Sequence, residues 1–415
     1  MKMRIEDILI LELCKNEKNS SSIENIFHNY KINLHYFFKI IDKHLIKPFI
    51  LAEALKYSIP EPVRDILHRA AKEAIFETRV RHQMIKREYN RIQTIVQERG
   101  AECILLKGIS LDFTGLRMIG DLDILVKEGD FVIADESVRA AGFDYVGDIL
   151  NPLIRNNEKK DIISQLSWNN QFQYENKKNG ILLELHTNLF EKSRAYIFDL
   201  NRLLENIDIF WKNRVWNDSL NAYTLCTEDL LMLMCLHTAV KRSLHMNRFI
   251  LRNLLDISGC IDRGINWDSF LSASVQFDTV SLVFFSLSLA IRLIGINVPD
   301  GVMHVFESRC TKGQKLLAAL HHKSFYNLES SSIFFSNLYK ILCPFVYQKK
   351  WFSRLKSILM LPVLFPARWR MAQLFHIKKN NPLIFLTYLI NPFRLLFLLI
   401  KNIVRYFYNR NNFVG

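Results

Sequence analysis

Residues 121–126, Asp-Leu-Asp-Ile-Leu-Val, alternate polar and apolar side chains, and no other feature constrains the fold of this chain as tightly. A period of two makes a half-buried strand, with Leu122, Ile124 and Val126 on one face and Asp121 and Asp123 on the other. Such a strand needs partners. Cys103–Leu106 is an apolar run of strand length. Trp168–Tyr174 and Ile181–His186 read as a hairpin across the turn-rich Asn176-Lys-Lys-Asn-Gly180. Within the second of these, Leu182, Glu184 and His186 share a face, which lets Glu184 join the aspartates.

Around these strands the periodicity is helical. Residues 62–99 repeat apolar positions at Val63, Ile66, Leu67, Ala70, Ala74 and Ile75, with Gly100 as a C-cap. Residues 130–141 form a shorter helix closed by Gly142. Thr227 is the N-cap of a further helical stretch through Leu230, Leu231, Leu233, Met234 and Leu236. The fold class expected is α+β, a small mixed β-sheet core with helical N-terminal and C-terminal regions, mostly helical overall. At 415 residues the chain exceeds the usual size of one core. Four regions are expected: 1–95 helical, 96–220 the sheet core, 221–330 helical, and 331–415 a basic, apolar helical tail. With 49% hydrophobic and 23% charged residues the chain is globular rather than disordered. Its seven cysteines lack CxxC spacing, which argues against a disulfide scaffold or a structural zinc site. The N-terminus is a poor signal peptide, because acids interrupt its short apolar stretch. A cytoplasmic location is the resulting expectation.

A bare Asp-x-Asp is commonly a solvated strand edge, so its surroundings decide its meaning. Carboxylates at i and i+2 repel one another, and a hard divalent cation between them relieves that repulsion. A third carboxylate from a neighbouring strand, Glu184, completes a metal site and takes or orients the proton of a nucleophile. Lys107-Gly108, in the turn after the first strand, offers an ammonium and backbone amides to a phosphate, or is simply a solvated loop lysine. Arg117 either braces Asp121 by a bidentate pair or binds the triphosphate, and the phosphate role is the one favoured. His186 shares the face of Glu184 and reads more naturally as a hydrogen-bonded structural histidine than as a ligand.

Three motifs stand in order: Leu106-Lys-Gly108, Arg117-Met-Ile-Gly-Asp-Leu-Asp-Ile-Leu-Val126 and Leu183-Glu-Leu-His186. With them the chain resembles the uncharacterised nucleotidyltransferases of the polymerase-beta-like superfamily. The resemblance covers about residues 95–262 and extends to Gly142-Phe143 and to Cys235-Leu-His237, His245, Arg248 and Asp256. It implies that Asp121, Asp123 and Glu184 are the metal-binding and catalytic triad for Mg2+ or Mn2+. It implies also that Lys107, Gly108, Ser110, Arg117 and Gly120 surround the phosphates of an NTP donor. Better-known members carry a Gly-Ser pair on the turn, whereas here Ser110 lies two residues beyond Gly108. The activity implied is transfer of NMP from an NTP to an unidentified acceptor, whether small molecule, glycan precursor, peptide or macromolecule. Two alternatives share the fold: an inactive nucleotide-binding or regulatory protein, and a toxin-like enzyme modifying RNA or protein.

The net charge of +14 is lopsided. After Glu329 there is no acid, and thirteen lysines and arginines are interleaved with aromatic and aliphatic residues. An acid-free surface favours anionic partners. Residues 334–415 suit an anionic membrane surface on its inner face, with nucleic acid a weaker candidate. Packing of these helices on the protein's own core is the competing expectation. Asn391-Pro392 and Arg394 interrupt the most apolar stretch and argue against a span.

Overall fold

The computed structural model describes residues 3–112, 114–146, 170–190, 195, 198–244 and 251–323, and in the tail 342–343, 346–347, 371, 375, 381–391, 393–394 and 397. Four short helices, α1 (Ile5–Cys14), α2 (Ser20–Asn29), α3 (Leu34–Lys43) and α4 (Lys47–Ala54), precede the long α5 (Glu61–Glu98). Asn19 and Asn33 cap α2 and α3 through their side-chain oxygens, supplying acceptors to first-turn amides that have no helical partner. Pro62 is tolerated in the first turn of α5 for the same reason. At the far end Gly100 takes φ +81°, the left-handed conformation that stops the helix.

Seven strands form one sheet: β1 (Cys103–Leu105), β2 (Asp121–Val126), β3 (Asp144–Tyr145), β4 (Gln171–Asn176), β5 (Ile181–His186), β6 (Val215–Asn217) and β7 (Ala222–Thr224). Their order is β3-β4-β5-β2-β1-β7-β6. The sheet is mixed, since β2 runs parallel to β5 and β1 parallel to β7 while the other pairs are antiparallel. Helix α6 (Phe131–Ala140) follows β2, and α7 (Asn201–Glu205) and α8 (Ile207–Lys212) precede β6. Six helices close the described body: α9 (Thr227–Leu244), α10 (Leu251–Asp262), α11 (Trp267–Gln276), α12 (Val280–Ile294), α13 (Asp300–Ser308) and α14 (Lys312–Lys323). The α+β class read from the sequence is the class observed.

The alternation in β2 sets where each face goes. Leu122, Ile124 and Val126 pack with Leu183 and Leu185 of β5, Phe131 of α6 and Tyr89 and Ile92 of α5. Leu125, on the opposite face, joins Ile104 and Leu106 in a second core shared with α1, α3, α9, α10 and α12. Each large apolar side chain fully buried this way contributes about 1.5–3 kcal/mol. Asp121 and Asp123 lie on the face of Leu125, so they open beside the helical core. Helix α5 belongs to both cores: Leu67, Ala71 and Ala74 enter one, and Ile85, Tyr89, Ile92 and Val96 the other.

Some local expectations shift. Strand β4 runs on to Asn176, because pairing with β5 continues to Ile181; Trp168 lies outside the described residues. Helix α9 starts at Thr227 itself, and the amide of Leu230 reaches the carbonyl of Cys226, so Cys226 holds the cap position. The hairpin β6–β7 has no counterpart in the sequence reading.

Candidate functional site

Strand register assembles the acidic centre. In the parallel pair of β2 and β5, Asp123 stands opposite Glu184 and Leu125 opposite His186. In the antiparallel pair of β4 and β5, Gln173 faces Glu184 and Gln171 faces His186. Because side chains two apart share a face, Asp121, Asp123, Glu184, His186, Gln171 and Gln173 converge on one side of the sheet. Lys107 enters from the turn after β1, directly above β2.

Contacts within this group are short. Lys107 Nζ lies 2.6 Å from Asp123 Oδ1 and 4.0 Å from Glu184 Oε2. His186 Nε2 is 3.1 Å from the same Asp123 oxygen and 3.5 Å from Glu184 Oε2. Gln171 donates to Glu184 Oε2 at 2.5 Å and Gln173 to Oε1 at 3.0 Å. Asp123 is 1% exposed, and its second oxygen, Oδ2, is buried with no hydrogen-bond partner among the described residues.

Charge follows from these neighbours. Burial alone would raise the Asp123 carboxyl, but Lys107 and the hydrogen bond from His186 outweigh it and hold it well below the usual range. Glu184 is also lowered: burial opposes ionisation, and the His186 hydrogen bond and Lys107 overcome it. Asp121 moves the other way, raised first by the like charge of Asp123 and then by burial. Burial disfavours charge on Lys107 and His186, yet the surrounding carboxylates raise both. Unmatched repulsion therefore falls on Asp121.

Asp123, Glu184 and His186 each present a ligand atom within 4.8 Å of the others. Asp121, named from the sequence beside Asp123 and Glu184, lies two residues along β2 and outside this compact group. The buried, unpartnered Asp123 Oδ2 beside a second carboxylate fits a divalent cation, since an orphaned carboxylate oxygen is costly in the interior unless something positive meets it.

On the other side of Lys107, Gly108 adopts φ +79°, and a Cβ there would stand 3.4 Å from the carbonyl oxygen of Asp121. Ser110 belongs to the 3-10 turn Gly108–Leu111; it is buried, and its Oγ has no partner among the described residues. Gly120 is exposed, its carbonyl accepting from Arg81 Nη2 at 3.0 Å. Arg117 makes a two-pronged pair with Asp256 of α10, Nε to Oδ1 at 2.7 Å and Nη2 to Oδ2 at 3.0 Å. Its fork is thus engaged by a carboxylate, and neither Asp121 nor open solvent receives it. The loop carrying Arg117 is pinned by His82 of α5, whose two ring nitrogens face Asp112 Oδ2 at 2.9 Å and the Arg117 carbonyl at 2.7 Å.

Three contributors escaped the sequence reading. Gln171 and Gln173 alternate with Phe172 and Tyr174 in β4, a period that places them on the acid face. Arg252, adjacent in α10, has no such local signal. His245 and Arg248 lie outside the described residues, and His237 is on α9.

A family model described as uncharacterised nucleotidyltransferase matches residues 30–295, a span that includes all of these side chains. No curated protein and no solved structure matches the chain.

Proposed function

The chain belongs to that uncharacterised nucleotidyltransferase family, and from this we propose that it moves a nucleoside monophosphate from an NTP to an acceptor at the acidic centre. The observation carrying this reading is the buried, unpartnered oxygen of Asp123, held in register with Glu184 below a positively charged turn. In the transfer, an acceptor oxygen forms a bond to the α-phosphorus, the bond from that phosphorus to the bridging oxygen breaks, and pyrophosphate leaves. Asp121, Asp123 and Glu184 would hold Mg2+ or Mn2+, with His186 braced against two of them. When bound, such a cation neutralises polyphosphate charge and polarises the α-phosphoryl group.

The chain's own groups have separable tasks. Gln171 and Gln173 fix both oxygens of Glu184, so one of them, Oε2, is oriented to accept the acceptor's proton. Lys107 neutralises Asp123 before the donor arrives and is placed to pass its ammonium to a phosphate. Gly108, Ser110 and the backbone at Gly120 line the donor side. Arg117 serves by clamping the loop to α10 through Asp256.

The test is incubation of purified protein with each labelled NTP, Mg2+ or Mn2+ and cell extract, beside Asp123→Asn. Label appearing in an acceptor, with pyrophosphate released by the wild type and not by the variant, is the outcome expected. Label in an RNA or protein fraction would identify the toxin-like alternative. Nucleotide binding without pyrophosphate release from any NTP would leave a binding protein and overturn the enzyme reading.

A membrane contact through the tail belongs to the same reading. Among the described residues no helix is long and apolar enough to cross a membrane. Helical residues 384–391 bury Ile384, Thr387 and Asn391 on one side, with Met371 beside Ile384. Phe385, Leu386, Leu389, Ile390, Phe393 and Phe397 stay exposed. An exposed apolar face in a tail without acids matches a surface both oily and anionic. The protein would then work on the cytoplasmic side of a membrane. Flotation with phosphatidylglycerol-rich vesicles, lost in Leu386→Asp/Phe393→Asp and absent with phosphatidylcholine alone, is expected. Unchanged flotation of the variant, or none by the wild type, would discard the contact.

A further inference from the structure

Among the described residues Lys107, Arg117 and Arg252 stand near the acidic carboxylates, and the first two have carboxylate partners. Lys107 is paired with Asp123, and Arg117 with Asp256. Arg252, four residues before Asp256 on α10, has no ion pair among the described residues. Its Nη1 donates to the Met118 carbonyl at 2.7 Å, while its Nε is buried with no hydrogen-bond partner among the described residues. Asp256, the carboxylate nearest in sequence, has both oxygens engaged by Arg117.

An arginine is not buried this way without cost. Burial, and then repulsion from Arg117, pull Arg252 down to about 10 from its ordinary value, and the attraction of Asp256, Asp121 and Asp123 does not offset them. If the side chain served only to brace the Met118 carbonyl, one N–H would suffice and Nε would be better placed in water. Helix α10 also packs against the 3-10 turn Gly108–Leu111, where Ser110 Oγ is a second buried polar atom lacking a partner among the described residues. A guanidinium with an open donor and a hydroxyl without a partner among the described residues thus sit on two elements in contact, and the turn that carries the hydroxyl also packs on β2. Both suit an anion with several oxygens, and the guanidinium fork suits phosphate in particular.

We infer that Arg252 and Ser110 form a polyphosphate subsite, in which Arg252 binds the leaving pyrophosphate portion of the donor and the helical unit thereby takes part in substrate binding. The ligand class is a phosphoanhydride, reached either as the NTP tail or as released pyrophosphate. This assignment rests on the nucleotidyltransferase reading of the acidic centre for its biological sense, but its binding chemistry is separately measurable.

The measurement is calorimetric titration of the full chain with inorganic tripolyphosphate, with Mg2+ and again with EDTA, for wild type, Arg252→Gln, Arg252→Lys and Ser110→Ala. Thermal melts without ligand run alongside. Wild type binds tripolyphosphate; Arg252→Gln weakens it at least about tenfold, and Arg252→Lys recovers part of the loss. Ser110→Ala weakens binding severalfold. Without ligand, Arg252→Gln melts at or above the wild-type temperature, because a buried unpaired charge is gone; a brace for Met118 would give a lower one. Unchanged binding in Arg252→Gln, or no binding by the wild type, overturns the subsite. Should Arg252→Gln fail to fold, Ser110→Ala with unchanged binding overturns it instead. The two readings fail separately. Loss of tripolyphosphate binding in Arg252→Gln with no transfer from any NTP keeps the subsite and removes the enzyme. Transfer abolished by Asp123→Asn but tripolyphosphate binding unchanged in Arg252→Gln keeps the enzyme and removes the subsite.

Discussion

Glu184 has both carboxylate oxygens engaged by amides of the neighbouring strand, which fixes its plane without neutralising its charge. With Glu184 in the proposed role of proton acceptor, Gln171→Ala/Gln173→Ala should slow transfer by about ten- to a hundredfold, less than the roughly 10²–10⁴-fold such an acceptor supplies, because the carboxylate itself remains. Tripolyphosphate affinity should stay near wild type. Equal losses in both quantities would show that the glutamines hold the strand rather than the carboxylate. A second residue, His82, faces acceptors with both ring nitrogens and is most comfortable as imidazolium. Burial lowers its affinity for a proton, but Asp112 and the Arg117 carbonyl raise it above the ordinary 6.5. Asp112 in turn is lowered: burial opposes its charge, and His82 overcomes that opposition. A raised histidine gives stability present in full below 6.5 and lost as pH climbs through its folded value; a lowered aspartate gives stability lost only in acid. The melting temperature of the wild type should fall more between pH 5.5 and 8.5 than that of His82→Gln, and parallel profiles would refute the charged pair. Residues of this kind divide by legibility. The face shared by Asp121 and Asp123, and that of Glu184, follow from a period of two within six residues. Arg117 meets Asp256 from 139 positions away, and no local pattern carries a partner at that distance.

At the scale of elements, the pair Arg117–Asp256 joins the loop before β2 to α10, with side chains 9% and 4% exposed. Asp256→Asn leaves a buried guanidinium without its counter-charge, beside Arg252. Breaking such a pair costs about 3–5 kcal/mol, to be read as a lower urea midpoint with unchanged slope. The double variant Arg117→Met/Asp256→Leu should recover most of it; no recovery would mean that the loop depends on something other than charge. The turn above β2 has its own demand. At φ +79° and with Asp121 O at 3.4 Å, Gly108→Ala should cost about 1–2 kcal/mol and displace Lys107. Elements with long periodic stretches, α5, β2 and β5, were readable within a residue or so at each end. Strands β6 and β7 were not, because three residues carry no period and Val215 and Trp216 are exposed. They are ordered by pairing with one another and, at Leu105 and Thr224, with β1.

Across the whole molecule, the helices on either side of the sheet in sequence share one core. Leu9, Phe37 and Ile50 from the first helices pack in the same cluster as Leu231, Leu254 and Leu287. Helical periodicity on either side of the strands sets these stretches apart as 1–95 and 221–330; apolar surface joins them, which no single window of sequence displays. Removal of residues 1–59 should accordingly leave an aggregating product with lost near-ultraviolet circular dichroism, and a soluble, cooperatively melting truncation would disprove the dependence. The acid-free tail was legible as charge, whereas which side of residues 384–391 stays exposed required the packing of Ile384 beside Met371.

Helix α5 gives this arrangement a consequence for how such chains can be inherited. At 38 residues it extends roughly 57 Å at 1.5 Å per residue, with its first half seated among the helices and its second half against the sheet. A recombination event that joined two relatives anywhere between Ala74 and Ile85 would unite the halves of one rod with different phase and different neighbours. Viable exchanges would fall outside 61–98, so the two halves of the rod, and with them both of its packing faces, would pass through descent together.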